Sequence, residues 1–169
     1  MSIRHTVIDS PLDELTMVAD GDTLTGLYFR GHWPRPARNG FGRRVDADTD
    51  PLLAEGRTQL RDYLAGTRTT LDLPIDVRGD AMQQRVWRQL TTIPYGTTVT
   101  YGELADTVGG LTARETGQIV GRNPLSIVIP CHRVVGKAGR LTGYAGGVVR
   151  KKLLLDLEEP AELRAARLF

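Results

Sequence analysis

The chain divides at Gly79-Asp80 into a segment that opens on alternating apolar residues and one that opens on a helical repeat, and that division limits the fold more than any other feature. Before it, residues 3–9 and 15–29 alternate apolar and polar positions. Leu15 and Met17, then Leu24, Leu27 and Phe29, read as strands joined by the turn Ala19-Asp20-Gly21-Asp22. After it, Met82, Val86 and Leu90 recur at i, i+4 and i+8 with Trp87 beside them, the spacing of a helix with one buried face. A period of two followed by a period near 3.6 excludes an all-helical or all-β chain. It predicts an α+β protein, with an N-terminal α/β structural domain over 1–78 built on a small antiparallel sheet and a mainly helical domain over 79–169.

In the first half, residues 31–50 carry prolines, glycines and many charges and read as a long surface loop. Asp50-Pro51 opens a helix that runs to Leu64 and stops at Gly66, and Leu71, Leu73, Ile75 and Val77 alternate as a strand. In the second half, a helix over 81–91 precedes the turn Pro94-Tyr95-Gly96. Short helices are predicted over 101–108 and 112–120, the second capped by Thr112, with Gly109-Gly110 between them. Such a pair suits a helix-turn-helix, although many helical domains contain one. Ile127–Ile129 reads as a brief strand ending at Pro130. Residues 136–147 form a glycine-rich loop, and 148–159 a last helix with Leu153, Leu154 and Leu157 inward.

Charge follows the same division. Residues 81–152 hold 10 Lys and Arg against 3 Asp and Glu, a local net of +7, whereas residues 1–80 are net −3 and 153–169 net −2. A basic segment between acidic ones suits a face that binds a polyanion, and a solvated surface would give the same count. The chain has no run of 18 apolar residues, so no membrane span is expected, and MSIRHTVIDSP lacks the apolar core of a signal peptide. With 1 Cys, neither an intrachain disulfide nor a zinc site using two cysteines can form, and a reducing, cytoplasmic setting is expected.

That cysteine stands in Pro130-Cys131-His132-Arg133. A lone cysteine is usually a small buried hydrophobe. Here a His and an Arg lie within two residues, and both lower a thiol pKa when they face it. Neighbouring side chains point apart on a regular backbone, so His132 reaches Cys131 only through an irregular chain path or a bridging water. A carboxylate must orient His132 from elsewhere, and Glu158 on the last helix is the candidate.

Ile129-Pro130-Cys131-His132-Arg133-Val134 resembles the active-site motif of the O6-alkylguanine-DNA alkyltransferases, the methylated-DNA–protein-cysteine methyltransferases. Gln84-Arg85-Val86-Trp87, Ile93-Pro94-Tyr95-Gly96, Thr100-Tyr101-Gly102, Ala113-Arg114, Gly117, Asn123-Pro124 and Gly143-Tyr144-Ala145-Gly146-Gly147 match that family in order and spacing. The likeness is strong over residues 80–158; the first half matches only through Ile8-Asp9-Ser10-Pro11.

The resemblance implies a single-turnover transfer, without cofactor or metal, of an alkyl group from O6-alkylguanine (also O4-alkylthymine) in duplex DNA. Cys131 would be the acceptor, with His132 acting on it through water, Glu158 behind His132, Asn123 as the hinge and Tyr101 donating to N3 of a flipped base. It implies a helix-turn-helix, winged-helix-like, that enters the minor groove through Thr112, Ala113, Arg114, Gly117, Tyr101 and Arg122, with Arg114 filling the space the base vacates. It implies a base pocket made by Val134, Tyr144, Ala145 and Gly146, and a monomer whose copies touch when clustered on DNA.

The sequence departs from the pattern at Glu115-Thr116, where the family has small apolar residues, and at Met82, where it has Phe. Glu115 near phosphates would be repelled unless it pairs with Arg114 or Arg122 or points away. A non-catalytic lesion-binding relative would lack Cys131. A helix-turn-helix regulator would leave the ordered motifs unexplained, and a cysteine hydrolase would turn over repeatedly.

Overall fold

The structure, a computed structural model, describes residues 2–32 and 36–163. Trp33, Pro34 and Arg35 of the expected surface loop, and residues 164–169, lie outside the described residues.

The N-terminal half is a four-stranded sheet in the order β3-β2-β1-β4, with β1 Ile3–Ile8, β2 Leu15–Asp20, β3 Thr23–Phe29 and β4 Arg43–Arg44. The first three strands are antiparallel as expected. β4 pairs parallel to β1, which makes the sheet mixed. Gly21, at φ +60°, supplies the left-handed residue of the tight β2–β3 turn. The register shifts between Val18 and Ala19, so that Val18 faces Gly26 and Ala19 faces Leu24. Thr25 is the extra residue of this bulge, which turns both Leu24 and Leu27 into the core despite their odd spacing. Helix α1, Pro51–Leu64, lies on that face, and its Gly56 leaves room for the Met17 thioether, whose sulfur would stand 2.6 Å from an added Cβ.

Residues 71–77 are not the strand the alternation predicts. Ile75 alone makes a bridge, to Leu24, with Leu24 N–H donating to Pro74 O at 2.8 Å and Asp76 N–H to Leu24 O at 2.9 Å. Pro74 has no N–H for a longer ladder, and Leu71, Leu73 and Val77 pack against the core as irregular chain. The expected loop 31–50 contains 3-10 turns at 38–41 and 47–49, with Phe41 and Ala47 buried.

The C-terminal half contains α2 Ala81–Leu90, β5 Val99–Thr100, α3 Tyr101–Val108, α4 Ala113–Val120, β6 Val134–Val135 and α5 Val148–Glu158. Each of α2, α3 and α4 begins with a reciprocal cap: Asp80 with Gln83, Thr100 with Glu103, Thr112 with Glu115. Gly109 and Gly110, both at φ +80°, make the turn between α3 and α4. The Trp87 indole donates to Ile119 O at 2.9 Å and ties α2 to α4. Among the described residues no helix is long and apolar enough to cross a membrane.

The two halves share one apolar core. They also share backbone hydrogen bonds: Leu27 N–H donates to Pro124 O at 2.8 Å and Ser126 N–H to Leu27 O at 3.3 Å. β3 therefore holds the segment that leads into Cys131. That segment is a turn, not the predicted strand over 127–129. Ile129 N–H closes onto Leu125 O at 2.9 Å, and Ile127 sits at φ +70°. On α5 the inward residues are Lys151, Leu154 and Glu158, at i, i+3 and i+7; Leu153, expected inward, is 48% exposed.

Candidate active site

Cys131 begins a 3-10 turn, Cys131–Arg133, directly after Pro130, which is the irregular chain path that adjacency of Cys and His requires. Asn123 holds the approach to it. Its Nδ2 donates to Ile129 O at 2.9 Å and to Leu125 O at 3.4 Å, while its Oδ1 accepts from Leu125 N–H at 3.0 Å. Its own N–H donates to Val120 O at 3.2 Å. One buried amide thus joins the end of α4 to the cysteine turn, as a hinge would.

Behind Cys131 lies a closed ionic group. His132 Nε2 meets Glu158 Oε2 at 2.7 Å. Arg133 donates to both Glu158 oxygens, at 2.7 and 3.0 Å, and to Ile93 O at 2.7 Å. Arg133 therefore faces Glu158, not the thiol, and does not lower the Cys131 pKa as its position in the chain suggested. Burial, with the charges of Arg133 and Lys151, pulls His132 down to about 3, so the imidazole is neutral. Burial pushes Glu158 up to about 8, with the Gly96 N–H acting the other way, and each of its oxygens accepts from the Arg133 guanidinium, the bonding of a carboxylate. Nε2 then carries the imidazole proton and donates it. Nδ1 is a bare acceptor, buried and without a hydrogen-bond partner among the described residues.

In front of Cys131 is a cavity of about 590 Å³ lined by Tyr101, Gly117, Gly121, Arg122, Tyr144 and Ala145 among others. Burial pushes the thiol up, while the Asn123 amide and the Lys151 ammonium act against it. Lys151 Nζ donates to Thr142 O at 2.9 Å and to the Tyr101 hydroxyl at 3.4 Å, and stands 5.6 Å from the Tyr101 ring centroid. Burial lowers Lys151 to about 8. The Tyr101 hydroxyl donates to Thr142 O at 3.4 Å, a long bond that a better acceptor would replace. Burial raises Tyr144 well above the usual phenol value, and its buried hydroxyl neighbours the Ser126 hydroxyl and the Cys131 sulfur without a well-formed hydrogen bond to either.

The other sequence-predicted residues divide. Thr112, Ala113 and Arg114 are exposed at the start of α4, and Arg122 is exposed at the cavity mouth. Arg114 and Arg122 make no ion pair or side-chain hydrogen bond among the described residues. Val134 and Gly146 are buried and do not line the cavity: Val134 pairs with Val99 in β6, and Gly146 lies on the Phe29 ring. Glu115 pairs with neither arginine. Its Oε1 accepts from Thr112 N–H at 2.9 Å, and its N–H donates to Thr112 Oγ1 at 3.1 Å. Those bonds to Thr112 hold its carboxyl below the usual range. Among the described residues no cluster of three or more His, Cys, Asp or Glu is arranged to hold a metal ion.

Residues 81–160 match the family described as 6-O-methylguanine DNA methyltransferase, DNA binding domain, and residues 3–77 match its ribonuclease-like domain. The chain belongs to this family. It is 43% identical to the methylated-DNA–protein-cysteine methyltransferase of Mycobacterium tuberculosis over 95% of this chain and 97% of that protein. It is 39% identical to the constitutive one of Bacillus subtilis, over 91% of this chain and 94% of that protein. Its fold superposes on the crystal structure of the M. tuberculosis methyltransferase in complex with DNA with a TM-score of 0.82, at 42% identity, covering 95% of this chain and 97% of the other.

Membership does not by itself explain two groups that sequence reasoning missed in this family member. Lys151, fully buried on Tyr101, reads in the sequence as one more charge in Arg150-Lys151-Lys152. Its spacing of three and seven from Leu154 and Glu158 was the usable signal, because a helix that turns Glu158 inward also turns Lys151 inward. Arg133 was singled out only as a neighbour of the thiol, and its contact with Glu158 closes over 25 residues of chain.

Proposed function

We propose that this protein repairs DNA by moving the alkyl group from O6-alkylguanine, and from O4-alkylthymine, in duplex DNA onto its own Cys131, once per chain. The observation that carries this reading is the cavity in front of Cys131, which has a nucleophile within it, hydroxyl donors on its wall and a helix-turn-helix at its mouth.

The target oxygen lies inside the duplex, so the nucleotide must leave the stack to reach Sγ. α4 enters the minor groove with Arg114 taking the vacated place, and Thr112, Ala113, Gly117 and Arg122 lie along the strand. The S–C bond forms as the O6–C bond breaks. Electrons move to the guanine ring, and the Tyr101 hydroxyl, oriented by the Lys151 ammonium, donates to N3 as that charge develops. The backbone of Tyr144-Ala145, which lines the cavity, reads the base edge. The thiol proton passes through a water to the bare Nδ1 of His132, and Glu158 stabilises the resulting imidazolium. A thiol raised by burial stays protonated at rest, so its proton leaves as the base is engaged.

No cofactor or metal takes part. The protein works in the cytoplasm as a monomer whose copies touch when clustered on DNA. Loss of O6-methylguanine from a labelled duplex in excess tests the reading. It is expected to stop at one lesion per chain; continued turnover would favour a hydrolase, and binding without loss a lesion sensor.

A further inference from the structure

The wall of the cavity is fixed from outside the DNA-binding half. Phe29, the last residue of β3, is 4% exposed. Its ring meets Tyr144 with centroids 5.7 Å apart and planes at 61°, an edge-on contact. The loop backbone rests on the same ring: a Cβ at Gly146 would lie 2.4 Å from Phe29 Cδ2, so that position admits only glycine while Phe29 stays in place. The ring is held in turn by Arg150. Its guanidinium stands 5.3 Å from the Phe29 centroid and donates to Gly146 O at 3.1 Å, Arg30 O at 2.8 Å and Leu12 O at 3.1 Å. It also meets the Asp13 carboxylate at 3.3 Å. Arg150 therefore stitches the loop to two segments of the N-terminal half.

Tyr144 lines the cavity beside Cys131, and its hydroxyl neighbours Ser126 and Cys131 without a well-formed hydrogen bond to either. Ring packing sets its position, and Phe29 supplies that packing. We propose that Phe29, clamped by Arg150, is a positioning residue that sets the size of the alkyl group the cavity admits, by holding Tyr144 and the 144–146 backbone against it. This rests on the alkyl-transfer reading above. With a smaller side chain at 29, Tyr144 can retreat into the vacated volume and the cavity widens on the side where the alkyl group sits.

The test compares second-order rate constants for alkylation of Cys131 by duplexes carrying O6-methylguanine and O6-benzylguanine. Phe29→Leu is expected to raise the benzyl-to-methyl ratio by roughly tenfold, the scale on which a pocket senses a change of a methylene or two. Arg150→Met is expected to move the ratio the same way by less, and carries the test if Phe29→Leu does not fold. Simple loss of stability lowers both rates together and leaves their ratio alone. An unchanged ratio in a folded variant, with the wild type alkylating Cys131 normally, would overturn the role of Phe29 while leaving the transfer reading intact. Failure of the wild type to transfer methyl would overturn both.

Discussion

The two sides of Cys131 are built on opposite rules. Behind it, Glu158, His132 and Arg133 use nearly every donor and acceptor on each other at 2.7 to 3.0 Å, and all three are buried. In front of it, Tyr101 and Lys151 touch at 3.4 Å, and the Tyr144 hydroxyl makes no well-formed hydrogen bond with its neighbours Ser126 and Cys131. A satisfied ionic group fixes geometry, because moving any member strands a buried charge. A wall with loose or missing hydrogen bonds costs little to rearrange and gains when a polar ligand enters. The rear therefore holds the cysteine turn in place, and on the proposed reading the front is completed by the base. The rear leaves Nδ1 of His132 open, and on the proposed reading that is the atom that takes the thiol proton.

The largest expected effect follows from breaking the rear. Arg133→Met leaves Glu158 buried without its guanidinium, and urea denaturation should show a loss of about 3–5 kcal/mol. A loss below about 1 kcal/mol would mean the group is not the scaffold described. The front should respond in rate more than in stability. Lys151→Met is expected to slow methyl transfer about 10- to 100-fold, the worth of a charge-assisted hydrogen bond. Because Lys151 titrates near 8, the wild-type rate should fall as pH rises through that value, and the variant should lose that limb. A fall that persists in the variant would assign the limb to another group.

A smaller effect separates the halves by pH. His32, buried behind Tyr28, is lowered to about 4 by burial and the Arg150 charge, and His132 to about 3. Both folded values lie below the unfolded value, so their stabilising contribution is complete above about 6.5 and declines as pH falls below it, by roughly 1 kcal/mol per unit for each. His32→Phe should flatten part of that decline between pH 6 and 4 in a series of thermal melts. The smallest effect concerns Glu115. Glu115→Gln preserves the cap on Thr112 but removes the charge, so duplex affinity at low salt should rise about two- to fivefold with the melting temperature unchanged. No change across a salt titration would turn that end of α4 away from DNA.

The same contrast explains what the sequence disclosed. Local rules carried the helices: Asp50-Pro51, Thr112 and Gly109-Gly110 mark boundaries that caps and left-handed turns impose within a few residues. The resemblance carried Cys131, His132, Glu158 and Asn123, and the structure brings these four together. Long-range geometry stayed hidden. Alternation at 71–77 cannot reveal that Pro74 ends the ladder, and the apolar run 127–129 cannot reveal that Asn123 and Leu27 claim its neighbouring backbone groups. Glu115 looked like a misplaced charge because Thr112 was read only as a cap, without the return bond that its N–H donates to Glu115. Lys151 and Phe29 acquire their places only when α5 and β3 pack beside Cys131, an arrangement no local pattern encodes.

The most direct measurement is the fate of the methyl group. After incubation with a duplex carrying labelled O6-methylguanine, the intact protein and its peptides are weighed. One methyl per chain, located on Cys131 and absent from Cys131→Ser, is the expected result. Label that stays on the DNA, is released to solution, or appears on another residue would contradict the assignment of Cys131 as acceptor.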